Sequence, residues 1–268
     1  STNGNGHRWP RPNERFRTIL ITGASSGLER ELTRLYARVA KRMYLLGRDQ
    51  TALRQLREEL TPTHACAIDI AAVDLGDLEA VSDYADAVEG VDMLVNCAGF
   101  SVVGAVQDVS LEWFRKNMTV NFLAPVLLTE AFLRKEPVPR CIVNVLSTTV
   151  IAGRKRQASY SASKAALWAY TRIRRQTAPA GTTMTEVLPA TFASRFAVHT
   201  VVVEPDRKPT NLASLSGQNR HGLTSETVAA KVYQASMRGR RRVFIPHKAR
   251  LFYLLEATSP RLFQRMFP

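Results

Sequence analysis

Short apolar segments rich in β-branched residues alternate along this chain with longer segments whose apolar residues recur at helical spacing. The first apolar segment, residues 18–22, is typical of a buried strand. After a Gly/Ser turn, the apolar positions from Leu28 to Val39 predict a helix that ends at about Ala40. The chain therefore opens with a strand, a turn and a helix.

The same alternation continues towards the end of the chain. Further strands are predicted at 43–46, within 65–74, and at 92–96, 141–146, 183–188 and 243–245. Further helices are predicted at 52–60, 78–88, 111–135 and 159–177. This order, without an internal repeat, predicts an α/β fold: a single doubly wound parallel sheet of the Rossmann type, with about seven strands and helices on both faces. In such a sheet, ligands bind beyond the carboxyl ends of the strands.

The two ends of the chain depart from this alternation. Residues 1–16 are polar, contain Pro and Arg and lack periodicity, so we expect a flexible tail. The Rossmann-type domain is expected to cover residues 17–246. Residues 247–268 form a basic amphipathic segment with aromatics and leucines, which is typical either of an interfacial membrane helix or of packing between subunits.

Composition limits the class of protein. A chain of 268 residues that is 45% hydrophobic can bury one large core. Cys66, Cys97 and Cys141 are odd in number and far apart in apolar runs, so we expect reduced core thiols of a cytoplasmic protein. The histidines show no ligand spacing, and no metal is expected. No signal peptide is recognised, and no apolar run reaches the roughly 20 residues of a membrane span.

The net charge of +14 is the unusual bulk property. It permits nucleic acid, an anionic membrane surface or acidic ligands as partners. The basic residues are dispersed, however, and no nucleic-acid motif accompanies them. We interpret them as solvated basic surface and expect no nucleic-acid partner.

The turn after the first strand carries a candidate phosphate site. Its sequence is Thr22-Gly23-Ala24-Ser25-Ser26-Gly27-Leu28-Glu29, and it leads directly into the first helix. Small residues let the backbone approach a ligand, and the free N–H groups at the start of a helix suit a pyrophosphate. The position of this turn between a strand and a helix favours a dinucleotide site.

A tyrosine and a lysine lie on one face of the helix predicted at 159–177. Tyr160 and Lys164 are spaced i and i+4. A free phenol has a pKa of about 10, and a positive charge about 4 Å away is worth roughly 4 kcal/mol at an effective dielectric near 20. We therefore expect Lys164 to lower the pKa of Tyr160, so that the phenol can exchange a proton near neutral pH.

These segments together resemble the short-chain dehydrogenase/reductase family. Thr22, Gly23 and Gly27 match its T-G-x-x-x-G-x-G pattern, but Glu29 replaces the last glycine. Residues 96–99, Asn-Cys-Ala-Gly, match its N-N-A-G motif at the end of the fourth predicted strand. The resemblance covers roughly residues 17–195, and it also implies that residues 195–223 form a substrate loop or lid, with a poorly ordered insertion as the alternative.

The resemblance assigns roles to four polar residues. Ser147, which is 13 residues before Tyr160, would hydrogen-bond a substrate carbonyl oxygen. Tyr160 would act as general acid or base, and Lys164 would hold the nicotinamide ribose. Asn121 matches the helix asparagine that is thought to hold a water in the proton relay. Residues 188–194 resemble the P-G-x-V-x-T segment beside the nicotinamide, with substitutions at Ala190, Phe192 and Ser194.

The second predicted strand bears on the choice of cofactor. It ends in Gly47-Arg48, without a carboxylate that would grip a ribose 2′-hydroxyl, and we interpret Asp49 as a helix cap. The resemblance therefore implies NADP(H) in preference to NAD(H), with Arg48 as an ordinary loop cation as the alternative. It places Asp74 and Leu75 against adenine, with 69–70 as a competing alignment. The expected cofactor-binding residues are Gly23, Ser25, Ser26, Gly27, Leu28, Arg48, Asp74, Leu75, Asn96, Ala98, Gly99, Tyr160, Lys164, Pro189, Phe192 and Ser194.

We therefore expect an NADPH-dependent reductase, or reversible dehydrogenase, that transfers a hydride between nicotinamide and an apolar or lipid-like ketone or secondary alcohol. A carboxylate beside a pyrophosphate is unfavourable, so Glu29 either turns outward to a cation such as Arg30 or weakens cofactor binding. The second outcome leaves an alternative: a cofactor-binding regulatory homologue with weak or no turnover. We expect a cytoplasmic homodimer or homotetramer, with peripheral membrane contact through 247–268 as a further expectation.

Overall fold

A computed structural model describes residues 16–25, 27–192, 196, 199–204, 209–211 and 223–266. Of the predicted site residues, Ser26 and Ser194 lie outside these ranges. The predicted tail, apart from Phe16, and much of 195–223 also lie outside them. Phe16, which the sequence pattern assigns to the tail, is buried beneath the guanidinium of Arg140, 5.5 Å from its ring centroid.

Strands and helices are numbered in chain order. The strands are β1 (Thr18–Thr22), β2 (Arg42–Gly47), β3 (Ala67–Ala72), β4 (Met93–Asn96), β5 (Val102–Val103), β6 (Cys141–Val145), β7 (Thr183–Pro189), β8 (Val201–Val202), β9 (Thr210–Asn211) and β10 (Arg242–Ile245). The α-helices are α1 (Gly27–Ala37), α2 (Gln50–Leu60), α3 (Leu78–Ala87), α4 (Leu111–Met118), α5 (Ala124–Leu133), α6 (Ala158–Gln176), α7 (Ser225–Met237), α8 (Ala249–Thr258) and α9 (Pro260–Met266).

The main sheet has seven strands in the order β10-β7-β6-β4-β1-β2-β3, and every neighbouring pair is parallel. The chain builds one half outward from β1 and then returns to build the other half outward from β4. This order confirms the predicted doubly wound sheet. The change of direction between β1 and β4 opens a crevice at their carboxyl ends, where such sheets bind ligands.

An apolar core lies on each face of the sheet, because successive side chains of a strand point to opposite faces. Ile19 and Ile21 pack in the core that α1, α2 and α7 cover. Leu20, between them, packs in the core that α3 and α5 cover. Both faces of β1 are thus buried, as its continuous run of apolar residues predicts.

The stretch predicted as one long helix at 111–135 is divided. Helix α4 passes into a π-helical turn at Thr119–Leu123, and α5 follows with Pro125 in its first turn. Proline lacks the N–H that a continuous α-helix would use there, and π turns are frequent at functional sites. Asn121 lies at the centre of this turn, so the departure from regular helix coincides with a predicted site residue.

A second, three-stranded sheet was not predicted. It pairs β5 parallel with β8, and β8 antiparallel with β9. Each of its strands has two residues, too short to show a period of its own. This sheet joins the segment after β4 to the segment after β7. Among the described residues, no helix is long and apolar enough to cross a membrane.

Candidate active site

A cleft of about 1570 Å³ lies at the carboxyl ends of β1, β4, β6 and β7. Single small-molecule pockets usually measure about 300–1,000 Å³, so this cleft has room for an extended ligand and a second molecule beside it. Its walls include most of the predicted site residues that the structure describes. These are Gly23, Ser25, Gly27, Leu28, Arg48, Asp74, Leu75, Ala98, Gly99, Ser147, Tyr160, Lys164, Pro189 and Phe192.

Glycine residues shape the turn at residues 22–29, between β1 and α1, which we call the phosphate turn. The N–H groups of Gly23 and Ala24 both donate to the carbonyl oxygen of Leu46, at 2.7 and 3.0 Å. Gly23 has φ +81°, and a Cβ on it would lie 2.9 Å from Cα of Ala98. Gly27, the first residue of α1, has φ +59°. The backbone therefore comes close to the cleft at the start of a helix, which suits an anion.

Thr22 fixes the segment that faces this turn. Its hydroxyl oxygen accepts hydrogen bonds from the N–H groups of Cys97 and Ala98, both at 3.1 Å. Asn96, by contrast, does not line the cleft. Its amide donates to Asn144 at 2.9 Å within the buried sheet, so Asn96 joins β4 to β6. The structure therefore does not bring Asn96 into the cleft with the other predicted cofactor-binding residues.

The far end of the cleft contains the residues expected to select the cofactor. Arg48 is exposed at the end of β2, and it makes no ion pair with any residue that the structure describes. Asp49 caps α2 by accepting from the N–H of Ala52 at 2.9 Å, as expected. Asp74 lines the cleft and accepts from the N–H of Gly76 at 2.9 Å. Asp69, the residue of the competing alignment, lies on β3 and forms an ion pair with an arginine of the neighbouring strand β2. The geometry therefore favours Asp74 as the residue beside adenine.

The structure brings Ser147, Tyr160 and Lys164 to the same wall of the cleft. Ser147 follows the end of β6, its hydroxyl accepts a hydrogen bond from the N–H of Thr149 at 3.2 Å, and the same hydroxyl lowers the pKa of the Tyr160 phenol. Lys164 lies one turn further along α6 and donates from Nζ to the carbonyl oxygen of Val145 at 2.8 Å. All three side chains are buried, with exposed fractions of 8%, 8% and 3%. Hydroxyl, phenol and ammonium groups are thus held in fixed positions beside an open space.

The expected lowering of the Tyr160 pKa by Lys164 is wrong in this structure. Burial raises the pKa of Tyr160 to about 12, although the Ser147 hydroxyl opposes the increase. Burial also lowers the pKa of Lys164 to about 8. The two residues are spaced as predicted, but the desolvation of the Tyr160 phenol outweighs the attraction that was expected from the Lys164 ammonium. Tyr160 consequently keeps its proton at neutral pH.

Asn121 supports the site from behind. Its Oδ1 accepts from the N–H of Phe100 at 3.1 Å, and its Nδ2 donates to the carbonyl oxygen of Phe100 at 3.0 Å and to Ser163 Oγ at 3.0 Å. A Cβ on Gly99 would lie 2.9 Å from Asn121 Oδ1 and 3.4 Å from Lys164 Nζ. The asparagine therefore ties the segment after β4 to α6 at the position of the lysine.

Several aromatic residues of the cleft were not predicted as site residues. Phe100 and Trp113 form an edge-to-face pair with ring centroids 6.4 Å apart. Phe196 falls in the predicted substrate loop, where the sequence offers it as a lining residue of an apolar pocket, and its ring centroid lies 5.8 Å from that of Tyr160. Phe252 and Phe263 reach the cleft from α8 and α9. They come from distant segments without a motif, so only the tertiary fold places them together.

Glu29 does not turn outward to Arg30. The guanidinium of Arg30 instead pairs with Glu59 at 2.8 Å. Glu29 is half-buried and lines the cleft, with its carboxyl near the Cys97 thiol and the Lys164 ammonium. Burial raises the pKa of Glu29 to about 8. Of the two sequence-based alternatives, the outward pairing with Arg30 is thereby wrong.

The cleft fits a nicotinamide dinucleotide. The glycine at position 23 keeps the phosphate turn free of a side chain where it approaches Ala98. The start of α1 offers backbone N–H groups to a pyrophosphate. The cleft continues from this turn to Ser147 and Tyr160, so one extended molecule can lie along it. A doubly wound sheet with this site defines a dinucleotide-dependent oxidoreductase of the Rossmann type.

Known proteins agree with this class. The profile of the family described as short chain dehydrogenase matches residues 17–201. Dehydrogenase/reductase SDR family member 7B of Rattus norvegicus is 27% identical over 265 residues, which cover 92% of this chain and 79% of that protein. The Danio rerio protein of the same name is 33% identical over 175 residues, which cover 60% of this chain and 55% of that protein. The chain belongs to the short-chain dehydrogenase/reductase family and is an NAD(P)-dependent oxidoreductase.

Solved structures show the same fold. A short-chain dehydrogenase from Sphingobium yanoikuyae, in complex with NADPH, has a TM-score of 0.77 and 22% identity, over 92% of this chain and 95% of that one. A short chain dehydrogenase/reductase from Burkholderia phymatum, in complex with NAD, has a TM-score of 0.79 and 21% identity, over 93% of this chain and 96% of that one. At these identities, the likeness concerns the fold.

Proposed function

We propose that this enzyme is an NADPH-dependent reductase of apolar ketones, with Tyr160 as the general acid. The observation that carries the proposal is the meeting of Ser147, Tyr160 and Lys164 on one wall of the cleft. The Tyr160 phenol carries its proton at neutral pH, as a general acid must. The aromatic walls, including Phe100 and Phe196, favour an apolar substrate.

The nicotinamide supplies the hydride when it is bound. The hydroxyl groups of Ser147 and Tyr160 orient the substrate carbonyl oxygen by hydrogen bonds. As negative charge develops on that oxygen, Tyr160 donates its phenolic proton to it. The Lys164 ammonium, held by the carbonyl of Val145, stabilises the tyrosinate that results. Resemblance to the family also assigns to Lys164 a contact with the nicotinamide ribose.

The proposal is tested with Tyr160→Phe. We expect turnover to fall by about 10²–10⁴-fold because the proton donor is removed. Cofactor binding should remain, since the ring stays in place. Tyr170→Phe is the matched control, because Tyr170 lies on the same helix but bonds to Glu130 outside the cleft, at 2.5 Å. Long-chain ketones and ketoacyl thioesters are screened first, with NADPH absorbance as the readout. Equal activity of Tyr160→Phe and the control would refute the assignment.

The preference for NADP(H) rests on Arg48. This exposed cation lies on the cleft at the end of β2, without an ion-pair partner among the described residues, so it is available to a 2′-phosphate. Arg48→Ala should weaken NADPH binding about tenfold or more and leave NADH binding nearly unchanged, as expected for one charge-assisted contact. Arg54→Ala, on the exposed face of α2, is the control. Equal losses for both cofactors would assign Arg48 no part in the choice.

The C-terminal helices support the expected membrane contact. Leu251, Leu254 and Leu262 are 66%, 44% and 48% exposed. Cations flank them on both helices: Lys248, Arg250, Arg261 and Arg265. We propose that α8 and α9 contact anionic lipid, since an apolar and basic surface suits a membrane interface. Leu251→Asp with Leu254→Asp should abolish cosedimentation with phosphatidylserine vesicles. A change in oligomeric state instead would assign the same surface to the expected homodimer or homotetramer.

A further inference from the structure

Glu29 is an acidic residue where the phosphate turn meets the cleft. It is the third residue of α1, and a Cβ on Gly23 would lie 3.2 Å from its Cγ. Its carboxyl therefore lies against the turn whose backbone N–H groups suit a pyrophosphate. The family pattern has a glycine at this position, so the carboxyl takes space that is otherwise empty. The proposed function makes no use of this side chain.

The groups that face the Glu29 carboxyl come from two elements. The segment after β4 contributes the Cys97 thiol, which lines the cleft and interacts electrostatically with the carboxyl. Helix α6 contributes the Lys164 ammonium, and the Tyr160 phenol also senses the carboxyl. On the other sides of α1, acidic residues of α2 and α7 interact electrostatically with arginines of α1 that lie further from the cleft. These contacts join Glu59 to Arg30 and Arg34, and Glu226 to Arg34.

An ionised Glu29 is poorly compensated in this position. Among the described groups that face it, the one cation is Lys164, and that ammonium already donates to Val145 O at 2.8 Å. A pyrophosphate at the start of α1 would add negative charge on the other side of the carboxyl. Like charges in a partly desolvated site disfavour each other's ionised form. The neutral carboxylic acid removes this repulsion and gains an O–H donor.

We propose that Glu29 is protonated whenever the dinucleotide is bound, so that an ionised Glu29 takes up one proton from solvent on binding, and that this residue sets the pH range in which the enzyme holds its cofactor. The step forms one O–H bond between a solvent proton and the carboxylate, and no bond to the cofactor is made or broken. The inference rests on the proposed function, because it requires a nicotinamide dinucleotide in this cleft.

The sign of the pH dependence follows from linkage. Burial already raises the pKa of Glu29 to about 8, and a bound pyrophosphate raises it further. Below about pH 7 the carboxyl is neutral with and without the cofactor, so affinity is constant. Above about pH 8 the free enzyme must first regain a proton, so affinity falls by up to about tenfold per pH unit. At neutral pH the Glu29 carboxyl is therefore uncharged, and the phosphate turn can bind a pyrophosphate beside it.

The test is a titration of the full chain with NADPH between about pH 6 and pH 9.5, followed by intrinsic fluorescence. Glu29→Gln keeps the shape of the side chain and removes its titration. Glu29→Gly restores the residue of the family pattern and serves as a second non-titrating variant. Lys164 is retained in every variant. Because the Glu29 carboxylate raises the pKa of Lys164, loss of that carboxylate moves the Lys164 titration to lower pH, which would steepen the decline and not flatten it. Glu31→Gln is the control, because Glu31 also lies on α1 but pairs with Arg34 outside the cleft.

We expect the affinity of the unaltered protein and of Glu31→Gln to decline above about pH 8, and that of Glu29→Gln and Glu29→Gly to decline about tenfold less by pH 9. Calorimetry at about pH 8.5, in two buffers of different ionisation enthalpy, should show proton uptake that both Glu29 variants lack. Parallel profiles for Glu29→Gln and the unaltered protein would overturn the inference alone. Failure of NADPH to bind any of these proteins at any pH would overturn it together with the proposed function.

Discussion

The Asn121 side-chain amide donates a 3.0 Å hydrogen bond to the hydroxyl of Ser163, the residue before Lys164. This bond connects the π-helical turn to the helix that carries the reacting side chains. The same asparagine holds both backbone groups of Phe100. One buried side chain thus sets the distance between the segment after β4 and helix α6.

Asn121→Ala should therefore affect stability and activity together. It leaves the N–H of Phe100 without its present partner, at a cost of about 1–3 kcal/mol, while the carbonyl of Phe100 keeps its hydrogen bond from Asn117 Nδ2 at 3.2 Å. Ser163→Ala, which removes only the hydroxyl contacts, should cost about 1 kcal/mol and keep activity. Urea unfolding and steady-state kinetics measure the difference. Equal loss of activity in both variants would show that the Phe100 segment needs no support from Asn121.

Gly23→Ala should disrupt the phosphate turn. The new Cβ would meet Ala98 Cα at 2.9 Å, in addition to the strain of φ +81°. Gly181→Ala is the matched control, because Gly181 has φ +91° and no atom lies within 4 Å of its added Cβ. Both variants lose about 1–2 kcal/mol from backbone strain. Only Gly23→Ala should also lose NADPH binding, and retention of full affinity would contradict the assigned position of the turn.

A buried carboxylate connects the last strands of the sheet to α6. Glu186 on β7 accepts hydrogen bonds from Arg175 at 2.6 Å, from Trp168 at 3.1 Å and from Arg242. Glu186→Ala should lower the free energy of unfolding by about 3 kcal/mol, since it leaves both guanidinium groups unpaired. Glu112→Ala removes an exposed pair with Lys116 and should leave the unfolding midpoint unchanged. Similar unfolding midpoints for the two variants would show that the buried Glu186 contributes no more to stability than the exposed Glu112.

The ion pairs of Glu59 predict a loss of stability in acid. Hydrogen bonds from Arg34 and Arg30 lower the pKa of Glu59 to about 2, from an ordinary value of 4.5. A carboxyl with a lowered folded-state pKa stabilises the protein above its unfolded pKa, and this contribution disappears as pH falls from about 4.5 to 2. Because Glu59 is 38% exposed, the contribution is below about 1 kcal/mol. Thermal unfolding across this range should show a smaller acid-induced decrease for Glu59→Gln than for the unaltered protein.

The main sheet could be predicted because its strands are short apolar runs bounded by turn residues. Residues 18–22, for example, coincide with β1. Ser147, Tyr160 and Lys164 could be placed at one site through the i, i+4 spacing of the last two and the resemblance to the family, which adds Ser147 at the end of a predicted strand. The two-residue strands β5, β8 and β9 could not be predicted, since their pairing depends on segments far apart in the chain.

Side-chain environments were harder to predict than positions. The spacing of Tyr160 and Lys164 is local, but the burial that raises the Tyr160 pKa comes from the whole cleft. Asn96 belongs to a recognisable motif, yet its side chain faces Asn144 in the sheet. Glu29 stands out in the sequence, but its neighbours Cys97 and Lys164 arrive from other elements. Contacts between distant segments decide all three cases.

The C-terminal helices supply Phe252 and Phe263 to the cleft, while the reacting groups lie on α6 and at the end of β6. Part of the aromatic cleft wall is therefore encoded in a stretch of the chain separate from the proposed catalytic residues. Replacement of the helical tail offers a way to change which molecules enter without altering the atoms that transfer the proton.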